Sequence, residues 1–333
     1  MAKVNILIPV YNGERYLEET VRSILSQTFA DFTALFVDDG STDRSVDILK
    51  KAAAGDNRIV VVEKPHEGSV PFTWNYIFPR LEADWTFYMS HDDLLDSSLL
   101  QSLVDVQAMT GADAVIPSCY FFSDNTDDHR YDDKNRANDM TSRAQGGCIT
   151  GKEAFELMLD YSIPGFALWR TSLIKEVGMP TESYNSDEGM QRIWVNACQK
   201  VAFSSAKFYY RIVPNSITKG LKAYHFYSLL TNKRLLEVAQ KEDISPDKLK
   251  EFHYYCINSL LYLKSAYKSI SSNYSELDKS GIMNVFSTVY PAFSRRKPKP
   301  RSMKEIVLYM SCTNRLFFYI AVKIFASRLS KKF

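Results

Sequence analysis

Three clusters of side chains in this 333-residue chain have the types and spacing to do chemistry. Asp38-Asp39-Gly40-Ser41 follows one apolar run, Ser90-His91-Asp92-Asp93 follows another, and Asn185-Ser186-Asp187-Glu188 opens a later segment. One acid after a strand is ordinarily a helix cap or a turn residue, and Asp38 or Asp43 alone reads that way. Several acids facing one crevice repel unless a cation or a donor-rich ligand lies among them. A divalent metal with a diphosphate answers that repulsion, and hard carboxylate oxygens favour Mg2+ or Mn2+. A structural Asp pair in a turn is the other reading of Asp92 and Asp93. No GxxxxGK[ST] and no strand-following GxGxxG occurs, so a P-loop or dinucleotide cradle is not supported and a metal must do the neutralising. Tyr11, just past the first strand, offers a ring that could stack on a base, against plain packing as the alternative. Asp39 could accept a hydrogen bond from a base or a ribose.

The elements that must position these residues alternate between short apolar runs and helical patterns over the first 120 residues, the sign of βαβ units around a parallel sheet. Strands are expected at 4–10, 34–37, 59–63 and 85–90. Helices are expected at 14–27, after Ser41-Thr42, around 72–81, and at 97–109 with Gly111 as the stop. In open α/β sheets ligands lie outside the carboxyl ends of the strands, which is where Tyr11, Asp39 and Asp92 fall. Residues 123–147 are polar and without period and read as a loop. Order returns at 152–159 and 169–177, the spacing is helical through 224–267, and a Pro- and base-rich linker follows over 291–300.

Composition sets the bounds. The length allows one catalytic domain with an appendage. The five cysteines are scattered, never in a CxxC pair, and suggest neither disulfides nor zinc, which fits a reducing cytoplasm. The N-terminus runs into a strand without a signal-peptide pattern, so export is not expected. The net charge of +2 hides an asymmetry: residues 295–333 hold eleven Lys or Arg and one acid, while the rest holds 30 bases and 38 acids. An acidic body with a basic tail argues against a nucleic-acid groove and for a tail that meets an anionic surface. The last segment, 315–333, puts Leu316, Phe317, Ile320 and Ile324 on one side and Lys323, Ser327, Ser330 and Lys331 on another. Its apolar run is far short of the about 20 residues of a spanning helix, so an interfacial helix on a membrane is expected, against a docked amphipathic helix with a solvated basic face.

The stretches ILIPVYNGERYLEETVRSILSQTF, LFVDDGSTDRS and FYMSHDDLLD, with the Asn75 region between, together resemble family 2 of the inverting glycosyltransferases. The resemblance covers about residues 3 to 218. It implies the GT-A fold, an α/β Rossmann-like mixed sheet flanked by helices that binds a nucleotide-diphospho-sugar, here followed by a helical C-terminal extension. It places base binding on Pro9, Tyr11 and Asp39, with Asn12 and Glu14 close by. It gives Asp92 a ribose or sugar contact with a share in the metal, and Asp93 the metal. Gly68 and Asn75 match a pattern preceding that strand; a turn and a helix-face polar group are equally open for them. Ser90 stands where many relatives have an acid, and Val213 where many have a His. Asp187 takes the catalytic-base role with Glu188 as the alternative, against two exposed acids capping a helix. Arg192 reads as a diphosphate ligand or as a surface ion pair. The contact of the His absent at Val213 is expected to be missing or to be supplied by Arg211, in the closing YR…NSIT stretch, or by Lys219.

The domains expected are a GT-A domain over 1–220 (nucleotide-sugar half 1–120, acceptor half 121–220), a helical region over 221–294, and a basic linker with a membrane-associating helix over 295–333. The expected function is inverting transfer of one hexosyl group, with Mg2+ or Mn2+, from a nucleotide sugar, UDP foremost. The expected acceptor is a saccharide on lipid at the cytoplasmic face of the plasma membrane, in O-antigen, capsule or exopolysaccharide assembly; that step rests on family analogy. A sugar-phosphate nucleotidyltransferase and a binding module that has lost transfer are the rival readings.

Overall fold

The structure, a computed structural model, describes residues 3–68, 70–124, 136–179, 181, 185–213, 221–295, 299–300, 302–311 and 317–323. The chain divides into two compact units, one of Met1–Met179 with Met190–Lys219 and one of Pro180–Gly189 with Gly220–Phe333.

The first unit begins with β1 (Val4–Val10), α1 (Leu17–Leu25), β2 (Phe32–Asp38), α2 (Ser45–Gly55), β3 (Ile59–Glu63), α3 (Val70–Ile77) and β4 (Trp85–Tyr88). These four strands pair in parallel in the order β3-β2-β1-β4. Val4, Ile6, Leu7 and Ile8 of β1 are all fully buried, as a central strand covered on both faces requires, which is why its sequence is a continuous apolar run rather than an alternation. Leu17, Val21 and Ile24 form the buried stripe of α1.

There follow β5 (Leu94–Leu95), α4 (Leu99–Thr110), β6 (Ala114–Phe122), β7 (Arg136–Asn138), α5 (Thr141–Gln145), α6 (Gly151–Leu159), β8 (Leu168–Arg170), α7 (Thr171–Val177), α8 (Ser186–Ala197) and β9 (Val201–Arg211). β8 joins β4 and β6 antiparallel, β9 runs parallel to β6, and β5 closes that edge, so the sheet is mixed, with nine strands among the described residues. The helix α8 belongs to both units, its first residues to the second and the rest to the first.

Differences from the sequence expectations have local causes. The helix expected from residue 14 begins at Leu17, because Asn12 sits at φ 48° and residues 13–16 form a turn closed by Tyr16 N–H to the Gly13 carbonyl at 3.0 Å. The helix expected to residue 81 leaves α geometry after Ile77, and Pro79 lies in the 3-10 turn that follows. Gly111 ends α4 in the left-handed region as expected. The polar stretch 123–147 holds β7 and α5; its residues 125–135 lie outside the described set.

The second unit is helical: α9 (Ser228–Lys241), α10 (Pro246–Ile270), α11 (Glu276–Ser294), α12 (Met303–Ser311) and the helical residues 317–323. Leu229, Leu236, Ile257, Leu261, Ile282, Val289 and Phe293 are buried among these helices. Pro291, read as the start of a linker, lies inside α11, near its end, where few backbone bonds are left to lose. Of the tail helix expected over 315–333, only 317–323 lies among the described residues. No helix among the described residues is long and apolar enough to cross a membrane.

Candidate active site

The register of the parallel strands builds the first part of the site. Val10 pairs with Asp38, and Asp38 with Glu63, so the next residue of each strand falls in one row: Tyr11, Asp39, Lys64. The ladder reaches this row, with Asp39 N–H donating to the Val10 carbonyl at 2.8 Å and Lys64 N–H to the Asp38 carbonyl at 3.0 Å. Tyr11 is exposed, whereas Asp39 and Lys64 are buried.

The Asp39 carboxylate is fully engaged. The Lys64 ammonium and the Glu67 N–H (3.1 Å) donate to Oδ1, the Gly68 N–H (3.2 Å) donates to Oδ2, and His66 Nδ1 lies 2.9 Å from Oδ2. Gly68 stands at φ +70°, a conformation open to glycine at no steric cost. Burial pushes the Asp39 carboxyl up, but the Lys64 and backbone hydrogen bonds outweigh it and hold the group below its ordinary range. Lys64 is likewise held above its ordinary value: burial lowers it, and hydrogen bonds to Asp39 and Glu67 more than compensate. The His66 imidazole stacks on Tyr11, with ring centroids 4.3 Å apart and planes 18° from parallel.

The loop after β1 is fastened to the β2–α2 turn. Asn12 N–H donates to Ser41 Oγ (2.9 Å), the Asn12 side-chain oxygen accepts from Thr42 N–H (2.8 Å), and Gly13 N–H donates to Ser45 Oγ (2.8 Å). Glu14 accepts from Arg44 N–H and Nε, both at 3.1 Å. Asn12 and Glu14, expected near the nucleotide, thus have their side chains committed to joining two loops. Pro9 lies within β1 opposite Val37, half-buried. The His91 ring packs where a Gly13 side chain would be, which places the Asp92 turn beside this loop.

Asp92 and Asp93 are unlike. Asp93 is 1% exposed, and its two oxygens accept from Ser90 N–H (3.2 Å) and Arg211 N–H (3.0 Å). Burial, and then the charge of Asp92, push its carboxyl well above the usual range. Asp92 is half-buried, and its carboxylate has no hydrogen-bond or ion-pair partner among the described residues. Of the two acids expected at the metal, Asp93 clamps the turn to β9, and Asp92 is the carboxylate left open.

Arg211, expected to stand in for the missing His, is held within the chain. Its guanidinium is buried between the Tyr16 and Phe122 rings, 4.7 and 4.4 Å from their centroids, and pairs with Glu19 and Asp124. Its Nε donates to the Asp92 carbonyl at 2.7 Å. Each of its three nitrogens makes a bond within the chain, three of its five N–H donors in all, and these bonds orient the Asp92 turn. Arg192 is buried too, donating from Nε to the Met158 carbonyl at 3.0 Å beneath Tyr161. The Asn75 amide is used twice on Met179, accepting from its N–H at 3.2 Å and donating to its carbonyl at 2.6 Å.

Asp187 and Glu188 stand half-buried in the first turn of α8, in the part assigned to the second unit, where the Asn185 amide donates to Glu188 at 3.2 Å. Val213 is half-buried; the closing residues 215–218 and Lys219 lie outside the described set. Four residues at the first unit's site were not singled out from sequence: Lys64, His66, Glu19 and Asp124. The strand-end rule that found Asp39 also points to Lys64 and His66, since VVVEKPH is the end of β3.

A mixed sheet with acids and an aromatic ring at the carboxyl ends of its parallel strands defines an α/β enzyme of the GT-A type. The family model "Glycosyl transferase family 2" matches residues 5–178, and the chain belongs to that family. It is 26% identical to the glycosyltransferase GlyG of Streptococcus pneumoniae over 226 residues, 65% of this chain and 73% of GlyG. It is 23% identical to the GalNAc(5)-diNAcBac-PP-undecaprenol beta-1,3-glucosyltransferase of Campylobacter jejuni over 285 residues, 84% of this chain and 87% of that one. The fold is that of S. aureus TarS in complex with UDP-GlcNAc, with a TM-score of 0.65 at 14% identity over 97% of this chain and 89% of that one.

Proposed function

We propose that this glycosyltransferase moves one hexosyl group from a UDP-sugar to a saccharide carried on a membrane lipid, with inversion, in assembly of a bacterial surface polysaccharide such as O-antigen, capsule or exopolysaccharide. The observation that carries the donor half is the row Tyr11–Asp39 at the strand ends: a stacking ring next to a carboxylate that takes donors, the pair of contacts a uracil ring and its N3–H would use. The UDP-GlcNAc bound by TarS, a protein of the same fold, supports it. The lipid-linked acceptor named for the Campylobacter relative, which matches over most of both chains, supports the acceptor half.

The residues present fit a divalent cation in one place. Asp92 offers a hard, unpaired carboxylate, whereas no group of three or more His, Cys, Asp or Glu able to hold a metal occurs among the described residues. Asp92 would hold Mg2+ or Mn2+ jointly with the donor diphosphate, and the ion would offset the charge of the leaving diphosphate. Such an ion would bind weakly alone and tightly with the nucleotide. The chain's own part is to stack the base on Tyr11, to receive it at Asp39, and to fix the Asp92 turn through Asp93 and Arg211. Asp187, with Glu188 as the alternative, takes the proton of the acceptor hydroxyl as that oxygen bonds the anomeric carbon and the nucleoside diphosphate departs. The base role rests on the sequence resemblance.

A donor screen with the purified protein tests this reading. Release of nucleoside diphosphate from UDP-sugars, above GDP- and dTDP-sugars, is expected. A response confined to GDP-sugars contradicts the assignment of the base site, and release of pyrophosphate from a nucleoside triphosphate and a sugar phosphate supports the nucleotidyltransferase instead. Peripheral attachment to the cytoplasmic face of the plasma membrane belongs to the same proposal.

A further inference from the structure

The helix α12 is apolar on the side that ordinarily faces water. It packs on α10, where Glu305 pairs with Lys250 at 2.9 Å, and its Leu308 and Ser311 are buried. On its other side Met303, Ile306, Val307 and Met310 recur at the spacing of one helix face, and they are 75%, 37%, 52% and 46% exposed. A surface helix with one apolar face buries it and turns the other, polar one outward. Here the side toward α10 carries Glu305, Leu308 and Ser311, and the more apolar side is the exposed one.

The helical residues 317–323 repeat the pattern. Ala321 and Val322 face inward, and Phe318 meets the Tyr290 ring, while Phe317, Tyr319 and Ile320 are exposed. Tyr319 lies between two exposed ammonium groups, Lys323 at 4.5 Å and Lys268 at 5.5 Å from its ring. Lys250, which meets α12, and Lys268, which meets Tyr319, are 18 residues apart on α10, or five whole turns. The two segments therefore dock along one side of α10, about 27 Å apart at 1.5 Å of rise per residue.

We infer that this strip, α12 together with residues 317–323, is a membrane-docking surface that inserts shallowly into an anionic phospholipid leaflet. The inference deepens the reading of a lipid-carried acceptor by naming the surface that brings the enzyme to the lipid. Charge selects the occupant. Residues 295–333 hold eleven Lys or Arg against the single acid Glu305, and Glu305 is already paired with Lys250. Arg295 and Lys299, just before α12, are exposed. Exposed apolar side chains near the exposed bases Arg295, Lys299 and Lys323, with a tyrosine at the margin, match the interface of an anionic leaflet. A second copy of the chain would bring the same excess of bases against itself.

Co-sedimentation of the full chain with vesicles tests this without donor or acceptor, so its failure leaves the transfer chemistry standing, and loss of transfer leaves it standing in turn. Binding to phosphatidylglycerol–phosphatidylcholine vesicles is expected to exceed binding to phosphatidylcholine alone. The pair Val307→Asp with Met310→Asp is expected to lower partitioning about tenfold or more, whereas Met109→Asp, at a site 80% exposed in the first unit, leaves it unchanged. The milder pair Val307→Ser with Met310→Ser should fall between, and melting curves verify that each variant is folded. Unchanged binding by the Asp pair overturns the inference, as does equal binding to neutral vesicles. A wild-type dimer that the Asp pair dissociates overturns it in favour of an interface between copies.

Discussion

The His66 imidazole lies flat on the Tyr11 ring, 4.3 Å between centroids, with its Nδ1 2.9 Å from the Asp39 carboxylate. It thereby makes the two contacts that the proposed uracil needs, so the loop after β3 and the nucleotide compete. A stacked pair contributes about 0.5–1.5 kcal/mol. His66→Ala should therefore tighten UDP binding about two- to tenfold by isothermal titration, and Tyr11→Ala should weaken it. Weaker binding in the His66 variant means that the imidazole helps to hold the base instead.

The Asp39–Lys64 pair couples the site to stability. Because the Asp39 carboxyl is held below its ordinary value in the folded protein, the stability that it adds is present above the unfolded carboxylate value of about 3.9 and is lost as pH falls through the folded value. Urea unfolding from neutral pH down to about 3 should show this loss in the wild type and less of it in Asp39→Asn. Lys64→Met leaves a buried carboxylate without its cation and should cost about 3–5 kcal/mol at neutral pH.

Asp92 and Asp93 should separate by what they damage. Asp93→Ala strands the N–H groups of Ser90 and Arg211, each worth about 1–3 kcal/mol when buried and unsatisfied, and should lower Tm clearly. Asp92→Asn removes a charge that no described residue partners, so Tm should hold within a few degrees while transfer falls. Thermal melts beside turnover measurements decide between this pattern and its reverse.

Arg211 should act through the turn that it holds. Arg211→Met leaves Glu19 and Asp124 without their cation and frees the Asp92 carbonyl, and it should lower kcat more than it raises the donor KM. Arg211→Lys keeps a charge but not three directed bonds and should recover part of the loss. An effect confined to KM would point to direct phosphate contact.

Much of the first unit was legible because β1 to β4 are central strands whose apolar runs are long, and because turn residues such as Gly111 mark where helices stop. The strand-end acids and Tyr11 stood out for the same reason. What could not be read is register. Only the pairing of Asp38 with Glu63 reveals that Lys64 stands beside Asp39, and only the fold shows that Arg211, over a hundred residues away, reaches the Asp92 carbonyl. Type and position alone also do not show that the side chains of Asn12, Glu14 and Asn75 bond Thr42, Arg44 and Met179. The two-residue β5 and the continuation of α11 through Pro291 leave too little pattern to find.

The most direct test is UDP release from a UDP-sugar by wild type and Asp92→Asn, each with Mg2+ or Mn2+ and with chelator. The wild type should release UDP only with the ion, and Asp92→Asn should lose about 10²-fold or more of that rate, the scale of a lost group that stabilises developing charge. Wild-type release that persists undiminished in chelator, or an Asp92→Asn variant as fast as wild type, would contradict a site built on the open Asp92 carboxylate.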